Sequence, residues 1–552
     1  MKIKFDATVH ADVVIAGSGY AGIKATYECC KAGLDVLLVV KSRVCSGSSY
    51  YPLMTGCGCL SPVDEADKAL FVQELNDAGA GMNDTLMSET FVNEIAQRVS
   101  ELEEMGFPTS KLLGRKACFA TRDRDIFMWN DFATIKRNVR TAFNEFPNLT
   151  IMEHSDVVHI VSKNKSVQGA VVADKTGNLT HVKTNNIILA TGGFAGLYTN
   201  NTNTADTSGL GQIMAYEAGA KLINLEFVQF LPCFITPTYN ASVPETAMLY
   251  LDGVFDTDGN DILSPYLPQG VTARRCIDSR SGHGPFTSED YSKYFDIASL
   301  KEILKTGRQD ACEITFSPEI LKSDNPSIIL QVANMKRQNI DVINDRLTMA
   351  PFGNSTNGGV FINEHSETGV DGLFAAGEVA GGLHGADRVG GLASGCCFVF
   401  GKRAAQSVIK RQGKSPNTAT DAQAMQQFSD VLSSGNSGLS ASEVMTGIRN
   451  TFDSFANIMR TEAGLQKGLL QVAALQKAFS ADQAIAAGDT IRDAVAARHS
   501  LKMAHLALLT MQARKESRGA HYREDYPLRD DENYMRRIVL CRDDNDIKLK
   551  YI

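Results

Sequence analysis

The chain is predicted to be α/β with a Rossmann-like start. Three observations carry this: an opening strand–glycine loop–helix–strand, a length beyond one core, and helical periodicity towards the C-terminus. Val13, Val14 and Ile15 form a short apolar run of the kind a parallel sheet buries. Gly17-Ser18-Gly19-Tyr20-Ala21-Gly22 follows at once and opens a helical stretch to about Lys31. Gly33 is placed to end that helix, and Val36 to Val40 read as the second strand. In this setting G-x-G-x-x-G is a dinucleotide fingerprint. The first glycine permits the tight turn, the second lets a pyrophosphate approach the backbone, and the third lets helix pack on strand. The helix N-terminus favours the negative charge. The alternative is a glycine-rich structural turn. The acidic residue that usually ends the second strand and binds a ribose hydroxyl is replaced by Val40, with Lys41 next.

At 552 residues the chain exceeds a single core, so about two to four domains are expected. Charged residues make up 21% and the formal net charge is −8. Without Lys/Arg runs, this leaves no electrostatic footprint for nucleic acid. No apolar run reaches the ~18 residues a membrane span needs, and the N-terminus lacks the features of a secretory signal. The expectation is a cytoplasmic protein, or one peripheral to a larger assembly, with no direct membrane insertion. The twelve cysteines are then expected to be reduced thiols. The pairs Cys29-Cys30 and Cys396-Cys397 sit in apolar, helical stretches and read as small hydrophobes. No Cys-x-x-Cys repeat occurs, so no metal is expected.

Three further segments identify a family. Asp371 to Glu378 reads DGLFAAGE and continues to Gly391 through His384-Gly385-Ala386-Asp387-Arg388-Val389-Gly390-Gly391. Ala513 to Asp531 reads ARKESRGAHYREDYPLRDD, and Glu226 to Phe230 reads EFVQF. With Ile188-Leu189-Ala190-Thr191-Gly192-Gly193, these resemble the flavoprotein subunits of fumarate reductase, succinate dehydrogenase and L-aspartate oxidase. The resemblance runs the length of the chain in order.

That resemblance implies a Rossmann-like FAD-binding domain over 1–232 and 348–412, interrupted by an α+β capping domain over 233–347. A helical C-terminal domain over 413–552 follows a turn-rich linker near 413–417. Thr461 to Leu465 and Thr490 to Met511 read as its helices. It implies an FAD-dependent oxidoreductase acting on a small-molecule substrate. The candidate partner is a ferredoxin-like iron–sulfur protein that carries electrons. An electron-relay flavoprotein without turnover of its own is the alternative reading.

The implied cofactor contacts are Gly17, Ser18, Gly19, Tyr20, Ala21, Gly22, Lys41, Ser48, Ser49, Thr191, Gly192, Gly193, Gly377, Glu378, Arg388, Ala393 and Ser394. Glu378 matches the glutamate that bonds the ribityl chain. Ala393 and Ser394 begin a helix aimed at the flavin pyrimidine. No histidine lies between Lys41 and Gly56, so the FAD is expected to be noncovalent. Ser49 falls nearest the position of the histidine that bonds the flavin in succinate dehydrogenases. The continuation Pro52-Leu53-Met54-Thr55-Gly56 departs from the family pattern, and Cys57 and Cys59 either approach the ring or simply pack.

Arg388 matches the arginine that holds a substrate carboxylate through its planar fork. Arg275, with Arg280 in the same motif, falls at the proton-donor segment; a surface salt bridge is the bland alternative for Arg275. His384 is expected near the active site and His521 in a structural role. The family's dicarboxylate site is broken elsewhere. Leu231 and Asn354 stand where it has histidines, Asp261 where it has an arginine, and Leu210 where it has an aspartate. These changes predict a small anionic substrate other than fumarate or succinate.

Overall fold

The computed structural model describes residues 4–50, 57–204, 207–413, 417–432, 438–543 and 546–552. Of the stretches read from sequence, 51–56 and most of the 413–417 linker lie outside the described residues.

The opening motif folds as read. Val13–Ala16 is fully buried and hands over, through the glycine loop, to the helix Tyr20–Lys31. Val36–Val40 then lies parallel beside it, every residue buried. Three remote segments complete a five-stranded parallel sheet in the order Leu373–Ala375, Ile187–Leu189, Val13–Ala16, Val36–Val40, Leu149–Glu153. All-parallel strands need cover on both faces, which is why four of the segments read as continuous apolar runs, while the edge strand Leu149–Glu153 is only partly buried. The helix Leu392–Ile409 packs along Tyr20–Lys31, so close that a Cβ on Gly401 would stand 2.6 Å from the Ala21 carbonyl oxygen.

A second hydrophobic cluster gathers residues from Cys233 to Phe352. Its sheet is antiparallel, and its two long strands, Val228–Thr236 and Leu347–Thr356, pair with each other. Gln229 stands opposite Ser355 and Phe230 opposite Gly353, so Asn354 is the extra residue of a β-bulge. A three-stranded sheet of Cys57–Leu60, Arg124–Trp129 and Ser110–Arg115 flanks the nucleotide-binding half.

The C-terminal part is helical, and its helices begin where the sequence signals them. Thr461 caps Glu462–Ala478 by accepting from Gly464 N–H, and Thr490 caps Ile491–Ala513 by accepting from Asp493 N–H. The chain does not end in that bundle, however. Ile538–Asp543 and Asp546–Tyr551 form a hairpin that joins a sheet with Leu222–Ile223 and Gly359–Phe361. Among the described residues, no helix is long and apolar enough to cross a membrane.

Candidate active site

One cavity of about 650 Å³ opens at the C-terminal edge of the parallel sheet and extends to residues of the second cluster. Such sheets place ligands at that edge. It is lined by Gly17, Ser18, Gly19, Tyr20, Ala21, Lys41, Ser48, Ser49, Thr191, Gly192, Gly377, Glu378, His384, Arg388, Ala393 and Ser394. The sequence-predicted residues are thus brought together with few exceptions. Gly22 and Gly193 lie just behind the wall. A Cβ on Gly22 would meet the Gly17 carbonyl oxygen at 2.0 Å, and one on Gly193 the Glu378 carboxylate at 2.4 Å.

Arg275 and Arg280 are not at the cavity. Arg275 is exposed and its guanidinium lies 4.7 Å from the Tyr291 ring centre. Arg280 is fully buried, paired with Asp296 at 2.8 Å and donating to the His283 carbonyl at 2.6 Å. Its charge is consumed internally, and neither arginine lines the cavity.

The residues fit a flavin dinucleotide. Gly17 has φ +105°, and a Cβ there would stand 2.4 Å from the Ala190 carbonyl oxygen, so the loop admits only glycine. The helix Tyr20–Lys31 starts at Gly19 without a cap from the Gly19 side, Tyr20 N–H donating instead to Ser49 Oγ at 3.4 Å, and its N-terminal residues line the cavity. The helix Leu392–Ile409 starts likewise at Gly391, φ +78°. Thr191 presents a buried hydroxyl with no partner among the described residues. The loop with Ser48 and Ser49 is pinned by Ser48 donating to Asn203 at 2.8 Å and by Tyr20 O–H donating to the Ser49 carbonyl.

At the substrate end, Arg388 is held by neutral groups. Its Nε and Nη2 donate to Gln229 Oε1 at 3.2 and 3.0 Å, and Ser355 donates to the same oxygen at 2.9 Å. Arg388 makes no ion pair among the described residues. Burial raises Glu378 against the opposing pull of Thr356 and Arg388, and raises Asp387 well above the carboxylate range. His384 is driven well below its ordinary value by burial, then by Arg388, so the imidazole is neutral; its Nδ1 has no partner among the described residues.

The family departures take definite places. Leu231, Asn354 and Leu210 all line the cavity. Asn354 accepts from the Thr202 hydroxyl at 2.9 Å. Asp261 is spent on a turn, accepting from Leu263 N–H at 2.8 Å. Cys59 is fully buried with its thiol pushed up to about 12 by burial, and it does not line the cavity. The side chain of Cys57 lies outside the described residues. His521 is buried against Arg460 at 2.6 Å and the Arg514 carbonyl at 3.2 Å, a structural place.

Several wall residues carry no local signal. Asp156 faces the end where the strand-two acid is missing; it pairs with Arg492 at 2.8 Å and lies 3.9 Å from Lys41. Cys118, Glu245 and Thr246 come from loops and short turns remote in sequence. Cys396 and Cys397, read as packing residues, also reach the cavity, with Cys396 Sγ 3.7 Å from His384 Nε2.

Comparison with known proteins agrees with this geometry. The family described as FAD binding domain matches residues 12–393, and that described as fumarate reductase flavoprotein C-term matches 446–552. A fumarate reductase (CoM/CoB) chain of Methanothermobacter marburgensis is 27% identical over 544 residues, covering 94% of each chain. L-aspartate oxidase of Yersinia pestis is 27% identical over 547 residues, covering 94% of this chain and 96% of its own. A structure of Escherichia coli quinol fumarate reductase shares the fold with a TM-score of 0.79 at 22% identity, over 99% of this chain and 97% of that one. Fold and site together define an FAD-dependent oxidoreductase. The chain belongs to the flavoprotein family of fumarate reductase, succinate dehydrogenase and L-aspartate oxidase, as a divergent member.

Proposed function

We propose that the chain transfers a hydride between noncovalently bound FAD and a small anionic substrate other than fumarate or succinate. The observation that carries this is Arg388: a cation held by neutral groups, in the same cavity as the glycine loop. An uncompensated guanidinium in a partly dry site is a seat for an anion, because its planar fork matches a carboxylate. Bound FAD supplies the hydride chemistry. The chain supplies the rest. The N-termini of Tyr20–Lys31 and Leu392–Ile409 would hold the pyrophosphate and the charge of the reduced ring, the latter through Ala393 and Ser394. Glu378 would bond the ribityl chain. Arg388 would orient the anion, and neutral His384 lines the same cavity. Arg275 and Arg280 have no part in this reading. The division at 232/233, 347/348 and 412/413 and a cytoplasmic location belong to the same proposal.

The test is anaerobic. The holoenzyme is reduced with dithionite and mixed with fumarate, enoates, aromatic acrylates and sulfur oxyanions. Reoxidation by an anion other than fumarate supports the reading, and efficient reoxidation by fumarate defeats its second half. A second reading is favoured by relatives named as subunits: an electron-relay flavoprotein working with an iron–sulfur protein. It is expected to give bound flavin, no reoxidation by any small molecule, and a co-purifying ferredoxin-like chain.

A further inference from the structure

We infer that the substrate is an α,β-unsaturated monocarboxylate whose remainder is uncharged and largely apolar. This rests on the hydride-transfer reading and specifies the substrate of that site. The argument is a count of charges around the cavity. Among the described residues, Arg388 is the cation available at the substrate end. Lys41 stands beside Asp156, which Arg492 also holds, at the opposite end, and Lys116 is exposed at the rim, where water screens it. One half-buried cation seats one carboxylate.

The place for a second carboxylate is filled by the wrong chemistry. A Cβ on Gly284 would stand 3.5 Å from Leu231 Cδ2 and 3.8 Å from Glu245 Oε2, so an aliphatic side chain and a carboxylate flank one spot. Glu245 has no ion-pair or hydrogen-bond partner among the described residues and faces the cavity. Its charge, after burial, helps push the Cys118 thiol up to about 11. A second carboxylate placed there would be stripped of water by Leu231 and repelled by Glu245. Desolvation of an unpaired charge alone disfavours it there. Asn354 is neutral and already accepts from Thr202. The wall given by the three-stranded sheet is apolar at Leu112, Ile126 and Met128. An uncharged hydrocarbon tail meets none of these penalties and gains from burial.

In the reduction of such an enoate the carbon–carbon π bond breaks. Bound FAD, once reduced, would supply the hydride for the new C–H bond at the β-carbon and be reoxidised, and a solvent-exchanged donor would supply the proton at the α-carbon, so that the substrate gains two electrons.

The test is calorimetric titration of the oxidised holoenzyme with trans-cinnamate, 2-hexenoate and fumarate. At least one monocarboxylate is expected to bind about tenfold or more tightly than fumarate. Arg388→Lys should weaken that binding, since a point charge replaces the fork. Leu231→Arg should move the preference towards fumarate by about tenfold or more. Fumarate binding as tightly as both monocarboxylates, or neither binding at about 10 mM, overturns the inference. Turnover is read separately. If a monocarboxylate binds with the expected selectivity but leaves the reduced flavin unoxidised, the hydride-transfer reading fails while the selectivity stands.

Discussion

Arg388 and Arg514 come from two motifs of similar clarity in the sequence, and the fold treats them in opposite ways. Arg514 is fully buried, pairs with Glu226 and Glu516 at 2.8 Å each, and donates to the carbonyls of Tyr534 and Arg536. Arg518 and Arg523 are equally enclosed, the first against Glu516 and Asp531, the second against Asp525 and Glu462. Arg460 meets the Glu226 carbonyl at 2.7 Å and His521. Here every charge has a counter-charge or a dipole, and the network ties EFVQF to the C-terminal motif. Arg388 has neutral partners and faces a cavity. The difference separates structure from function more sharply than the motifs themselves: a satisfied buried arginine holds the fold, and an unsatisfied one waits for an anion.

Removing a satisfied arginine should therefore cost most. Arg514→Ala strands Glu226 in the interior, while Glu516 keeps Arg518, and should destabilise the fold by about 3–5 kcal/mol. Chemical denaturation followed by circular dichroism measures it; a loss under about 1 kcal/mol would erase the contrast. Arg388→Ala should do the reverse, changing stability by about 1 kcal/mol or less while weakening anion binding by about tenfold to a hundredfold. Equal losses of stability in the two variants would refute the distinction.

Acid should expose the network more gently. His521 is held well below its ordinary value by burial first, then by Arg460 and Arg514. The unfolded chain protonates it near pH ~6.5 while the folded chain does not, so the unfolded state binds more protons below that pH. Stability therefore falls as pH drops through that region. Urea midpoints at about pH 7.5 and about pH 5.5 should show the decline, and His521→Asn should flatten it. The smallest effect concerns Asp387, beside Arg388 and bonded to Thr287 at 2.6 Å. Its carboxyl is raised by burial, so the stability tied to its protonated form is present in acid and lost as pH rises. Asp387→Asn should be more stable than the native chain at neutral pH, with the gain vanishing towards acid. A gain that is the same at every pH would show that burial of the acid is not its cause.

The parts of the site that follow from local chemistry were legible in the sequence. The Gly17 loop and the Thr490 cap depend on neighbours a few residues away, and Glu378 and Arg388 stand inside a motif that marks them in the sequence. What was hidden depends on distant packing. Asp156 reaches the cavity only because the strand Leu149–Glu153 adds to the far side of Val36–Val40. Cys118 and Glu245 arrive on loops that no periodicity marks. The placements of Arg275 and Arg280 turned on Tyr291 and Asp296, which decide whether a helix face looks into the cavity or away. The closing hairpin was missed for the same reason: Ile538–Asp543 finds its partner at Leu222–Ile223, hundreds of residues upstream.

The bulge at Asn354 has a consequence for how such a site can change over generations. Side chains in a strand alternate faces, so a ladder that carries one surplus residue keeps two registers, one on each side of it. Gln229 and Ser355, which steady Arg388, lie on one side, and Phe230 with Gly353 on the other. Deleting Asn354 alone would close the ladder with every flanking pair kept, whereas losing a paired residue such as Ser355 would shift one run of side chains to the opposite face. A single lost codon at the bulge would then take one amide out of the cavity wall and leave its neighbours on the faces they hold.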